Sequence, residues 1–134
     1  MKKKEAKGNL AVIYARYSSH NQRDVSIDQQ VKVITEFAGR SNLKVISVYA
    51  DRAISGTTDY RPEFQRMIED AKSGGFQYVI VYSIDRFARD RFDSITYKKI
   101  LKDHGVRVLS AMENISDDPS GILLESVLEG LAEY

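Results

Sequence analysis

Four short apolar runs, at residues 10–14, 45–49, 78–82 and 106–109, are separated by segments whose apolar residues recur at helical spacing. This alternation limits the possible folds more than any other feature of the 134-residue chain. The runs are rich in Val, Ile and Tyr and lack a clean apolar–polar alternation, the pattern of strands covered on both faces. After the first run, Ile27, Val31, Ile34 and Ala38 fall at i, i+4, i+7 and i+11, with Ser26 as the expected cap and Gln29 three residues on. Phe64, Met67, Ile68 and Ala71 form a second stripe, opened by Pro62 and closed by Gly74-Gly75. A third helix is expected from Asp93, as its cap, to about His104, where Gly105 stops it. A fourth stripe, Leu124, Val127, Leu128 and Leu131, follows Pro119. The order β-α-β-α-β-α-β-α predicts a three-layer α/β domain, a largely parallel sheet of four to five strands flanked by helices.

Composition narrows the chemistry. The chain has no cysteine, which excludes disulfides, zinc–thiolate sites and a cysteine nucleophile. No run approaches the ~20 apolar residues of a membrane span, and the opening MKKKEAKGN lacks the apolar core of a signal peptide. A cytoplasmic protein is expected, with no membrane partner. The net charge of +1 hides an uneven distribution. Residues 1–50 carry nine Lys/Arg against four Asp/Glu, residues 51–110 eleven against nine, and residues 111–134 six acids and no base. The chain has no strongly basic face overall, so a nucleic-acid partner would draw much of its affinity from elsewhere.

The ends of the apolar runs carry the informative residues. Arg16, Ser18 and Ser19 follow the first; Arg61 follows the second and its polar connection 51–61; Asp85, Arg86, Arg89, Asp90 and Arg91 follow the third. In a parallel sheet these loops leave the same edge, where such folds place their ligands. Taken singly, each residue has a plain structural explanation. Ser18 is a turn serine, Arg16 a surface residue with a buried stem, Asp85 and Arg86 a local ion pair, and Arg61 a helix entry. Their joint placement is what matters: arginines gathered near a hydroxyl suit phosphoryl transfer, because planar guanidiniums match the equatorial oxygens of the transition state.

The same segments resemble the catalytic domain of the serine recombinases, the resolvase/invertase family, over roughly residues 12–134. YARYSS matches the opening Y-x-R-x-S, SIDQQ the S-x-x-x-Q segment, DRAISGTTDYRPEF the D-x-x-x-S-G…R segment, and SIDRFARD the D-R-x-x-R-D segment. The longer loop SHNQRDVSID is closest in style to the large serine recombinases. The resemblance implies Ser18 as nucleophile, Arg16, Arg86 and Arg89 on the scissile phosphate, and Arg61 joining them from a mobile loop. Asp85 is implied either as proton carrier or as an orienting group, and Gln30, Tyr14 and Ser55 as substrate contacts. It further implies a 5′-phosphoserine intermediate with double-stranded DNA, formed without metal or ATP, and homodimers and homotetramers of a longer protein encoded by a bacterium, phage or mobile element. No cofactor and no small-molecule substrate are expected. Tyr17 stands where small resolvases have a smaller aliphatic residue. Ser19 is an adjacent rival hydroxyl, although the motif register favours Ser18.

The expected organisation is a basic lead-in at 1–9, a catalytic domain at 10–118 and, at 119–134, the start of a long dimerisation helix whose DNA-binding continuation lies outside the chain. This piece alone is not expected to recombine DNA. The alternative is a non-catalytic phosphate- or DNA-binding α/β module. A phosphoacceptor receiver wants acids after the first strand, where Arg16 stands. A Mg²⁺-dependent nuclease wants alternating carboxylates, whereas Asp117 and Asp118 are adjacent. The glycine-rich phosphate loops of nucleotide-binding enzymes are missing from the sequence.

Overall fold

In a computed structural model of the chain, residues 8–16, 25–52, 61–88 and 91–113 are described. They form β1 (Leu10–Arg16), α1 (Ile27–Arg40), β2 (Lys44–Asp51), α2 (Pro62–Lys72), β3 (Tyr78–Val81), a single 3-10 turn (Ile84–Arg86), α3 (Arg91–Asp103) and β4 (Arg107–Ser110). The four strands pair in the order β2-β1-β3-β4, and every pairing is parallel. The expected fourth helical stripe lies outside the described residues. Among the described residues no helix is long and apolar enough to cross a membrane.

Both faces of the central strands β1 and β3 are covered, which explains why they do not alternate with polar residues, whereas the edge strand β2 leaves Ile46 and Val48 exposed. Ala11, Ile13 and Ile80 pack with Ile34 and Ala38 of α1. Val12, Tyr14, Val79 and Val81 pack on the other face with Phe64, Met67 and Ala71 of α2 and with Leu101 of α3. β1 runs two residues further than its apolar run suggests, because Ala15 is buried and Arg16 still pairs in register with Asp51. That extension carries the strand directly into the polar edge.

The helix boundaries follow local chemistry. Ser26 caps α1, its hydroxyl accepting from the Gln29 amide at 3.1 Å. Pro62 occupies the first turn of α2. After α2 and α3 the chain turns through Gly74 at φ 81° and Gly105 at φ 78°, a conformation costly for any residue with a Cβ. Asp93 departs from expectation. It lies inside the first turn of α3, which begins at Arg91, and its carboxylate is committed to Arg61.

Two buried phenols give the fold an alkaline limit. The Tyr49 hydroxyl donates to Asp70 Oδ2 at 2.6 Å. Burial, then that hydrogen bond, push the Tyr49 pKa up to about 12, and burial raises that of Tyr14 as well. A folded-state pKa above the unfolded phenol value of about 10 gives stability that is complete below pH 10 and lost as pH rises through the folded value. Urea unfolding should therefore need progressively less denaturant from about pH 10 to 12, and Tyr49→Phe should flatten part of that slope.

Candidate active site

β1 lies between β2 and β3; the connection from β1 leads to β2 on one side, and the connection from β3 leads to β4 on the other. The carboxyl ends of these strands therefore border the crevice where open α/β sheets bind ligands. Arg16 closes β1, Asp51 closes β2, residues 82–88 follow β3, and residues 111–113 follow β4.

Arg16 spans the crevice. Its Nε donates to the carbonyl of Arg86 at 3.1 Å, and its Nη2 to the carbonyls of Asp85 at 2.8 Å and Ala88 at 3.2 Å. The end of β1 thereby fixes the path of the chain after β3, some 70 residues away in sequence. Burial lowers the pKa of Arg16; the neighbouring guanidiniums of Arg61 and Arg86 push it the same way, against the opposing influence of Tyr14 and Asp85. Three cations from three chain segments thus share one electrostatic environment. An arriving anion would relieve both their mutual repulsion and the burial of charge. Lysine carries one compact ammonium in place of the planar fork. Arg16→Lys should therefore cost about 1–3 kcal/mol of folding stability in urea titration, the range for losing charge-assisted hydrogen bonds.

Arg61 was expected to join from a mobile loop. It is instead held on the body of the domain, 9% exposed at the N-terminal end of α2. Its Nη1 donates to the Phe87 carbonyl at 3.0 Å, its Nη2 pairs with Asp93 Oδ2 at 2.8 Å, and its guanidinium lies 4.0 Å from the Phe64 ring centroid. Phe64 in turn meets Tyr14, Phe87 and Tyr97 edge-on at centroid distances of 5.1, 5.3 and 4.8 Å. The aromatic cluster thus forms the floor beneath Arg61.

Arg86 is buried in the 3-10 turn, its Nε 3.8 Å from Asp85 Oδ1. Asp85 is half exposed and accepts from the Ser83 hydroxyl. Tyr14 and Gln30, expected as substrate contacts, are both fully buried and engaged within the protein. The Tyr14 hydroxyl donates to Asp51 Oδ2 at 2.8 Å. Gln30 Nε2 donates to the carbonyls of Arg16 at 2.9 Å and Val25 at 3.0 Å, linking the two flanks of the segment that carries Ser18. Ser18, Ser55 and Arg89 lie outside the described residues.

Asp51 is the residue that sequence reasoning passed over. Besides the Tyr14 hydroxyl, its carboxylate accepts the Glu63 and Phe64 amides, each at 3.0 Å. It caps α2 from the end of β2, while Arg61 occupies the cap position without a side-chain cap bond of its own. The signal was its place as the first letter of the DRAISG segment, directly after an apolar strand.

A parallel α/β domain with arginines converging beside the end of its first strand is the class of the serine-recombinase catalytic domains. The family model described as "Resolvase, N terminal domain" matches residues 11–134, and the chain belongs to that family. The transposon Tn552 DNA-invertase BinR of Staphylococcus aureus is 37% identical over 90 residues, 65% of this chain and 45% of its own length. A Bacillus subtilis (strain 168) relative with a DNA-recombinase name is 28% identical over 127 residues, 93% of this chain and 25% of its own length. The chain thus spans less than half of either relative. Among solved structures, the N-terminal catalytic domain of TP901-1 integrase superposes with a TM-score of 0.74 at 29% identity, covering 92% of this chain and 94% of that one. A resolvase family site-specific recombinase from Streptococcus pneumoniae gives 0.75 at 29% identity, covering 92% and 85%.

Proposed function

We propose that the full-length protein is a site-specific DNA recombinase and that this chain performs its strand cleavage and rejoining. The Ser18 hydroxyl attacks a DNA phosphodiester in line. The bond from phosphorus to Ser18 Oγ forms as the bond to O3′ breaks. The serine proton is lost, the departing O3′ gains one, and a 5′-phosphoserine ester and a 3′-hydroxyl remain. The ester conserves the energy of the broken bond, so rejoining by the reverse attack needs no nucleotide cofactor. Arg16, Arg61, Arg86 and Arg89 supply the positive charge for the transition state, and Asp85 is the group suited to carry a proton or orient an arginine. Double-stranded DNA at specific sites is the partner. Dimers and tetramers form through the segment that begins at 119–134.

The observation that supports this reading is the convergence of Arg16 and Arg61 on the carbonyls of residues 85–88, the turn that holds buried Arg86, with Arg16 two residues before Ser18 in the chain. The test uses full-length protein, DNA bearing the ends of its own element, and EDTA in the reaction. The reaction is quenched in mid-course and the adduct mapped by mass spectrometry. A phosphoryl-DNA adduct on Ser18 is expected. DNA binding without any adduct would replace this reading with a phosphate-holding module.

A further inference from the structure

The 3-10 turn that carries Asp85 and Arg86 is held from two sides, and only one of them belongs to the site described so far. On its carbonyl side Arg16 binds Asp85, Arg86 and Ala88. On its amide side the Ile84 N–H, the first of the turn, donates to Glu113 Oε1 at 3.0 Å. Glu113 is itself oriented. The Ser110 hydroxyl donates to the same Oε1, and the Glu113 amide donates to Ser110 Oγ at 3.2 Å. The backbone carrying Glu113 is pinned to the segment after β3, since the Ala111 and Met112 amides donate to the Val81 and Tyr82 carbonyls at 2.9 and 3.0 Å. A cation therefore reads the carbonyl end of the turn and an anion reads its amide end, each complementary to the backbone dipole it faces.

We infer that Glu113 is a positioning residue for cleavage, acting through the Ile84 amide on the Asp85–Arg86 turn. The inference rests on the recombinase reading for its effect on rate, but not for its structural core. What matters is an acceptor oxygen at the right reach. Glutamine retains the reach and one acceptor oxygen. Aspartate retains the charge but is one methylene too short. Leucine removes the acceptor at similar volume. A role for the negative charge itself predicts the opposite ranking of glutamine and aspartate.

The experiment compares Glu113→Gln, Glu113→Asp and Glu113→Leu. In the full-length protein, single-turnover adduct formation should fall about tenfold in the Asp and Leu variants and stay within about threefold in the Gln variant, with Kd for DNA unchanged, because the hydrogen bond that fixes the Asp85–Arg86 turn is removed. In the 134-residue chain, exchange of the Ile84 amide followed by NMR should accelerate at least about tenfold in Glu113→Asp and remain near wild type in Glu113→Gln. If Glu113→Leu fails to fold, the Gln and Asp pair still decides. A Glu113→Asp rate at or above that of Glu113→Gln, or equal Ile84 exchange in both, overturns the inference. The exchange measurement reads the contact even if wild-type protein forms no DNA adduct, so failure of the recombinase reading and failure of this one are told apart.

Discussion

Ser18→Ala is expected to form no covalent adduct with DNA, and strand cleavage by the full-length protein should fall at least about a thousandfold, the scale of losing a nucleophile with the rest of the site intact. The arginines remain, so the variant still binds DNA and still polarises the phosphodiester. On the proposed mechanism it lacks the atom that attacks. Water is a poor substitute, because its attack would leave a free end in place of the ester needed for rejoining. Ser19→Ala is the matched control and should cleave within about threefold of wild type, since the adjacent hydroxyl stands out of the motif register. The readout is the amount of protein–DNA adduct formed in one turnover. An adduct that persists in Ser18→Ala and vanishes in Ser19→Ala would move the nucleophile by one residue.

Asp51→Ala carries the largest stability effect expected in the domain, about 3–5 kcal/mol by urea titration, within the range for disrupting a buried hydrogen-bonded charge. Three donors lose their acceptor together: the Tyr14 hydroxyl and the Glu63 and Phe64 amides. All three lie in or beside the core, so water replaces the carboxylate poorly. Asp51→Asn keeps an acceptor oxygen and should lose less. Tyr14→Phe, which removes one donor along with its need, should cost about 1 kcal/mol. The effect extends to the site, because Asp51 caps the helix whose first residues fix the backbone of Arg61. A loss below about 1 kcal/mol for Asp51→Ala would mean that the cap and the phenol find other partners.

The sequence was most readable where one physical signal acted alone. Val12, Tyr14, Val79 and Val81 declare buried strands because both sheet faces are apolar. Ser26, Pro62, Gly74 and Gly105 mark helix ends through local backbone chemistry. Reading was incomplete where a distant residue took part. Asp93 has the chemistry of a cap, and nothing local announces its pairing with Arg61, 32 residues away. Gln30 has the polarity of a ligand contact, and no local pattern announces that its Nε2 holds the carbonyls of Arg16 and Val25. Asp51 stood within a quoted motif, but only the folded chain brings the start of α2 to its carboxylate. The arginines were legible as a group because parallel topology forces the strand ends to one edge, whatever the details of the loops.

The placement of β1 inside the sheet also sets when the site comes into being. β1 has β2 on one side and β3 on the other, and among the described residues Arg16 finds carbonyl partners at residues 85–88. Pairings so distant in sequence are slow to form, since a long loop must close before any contact rewards it. A nascent chain leaving the ribosome can therefore complete α1 and pair β1 with β2, but it cannot assemble the arginine crevice until β3 and its turn have emerged. Assembly order thus holds back the cleavage chemistry until most of the domain has been synthesised.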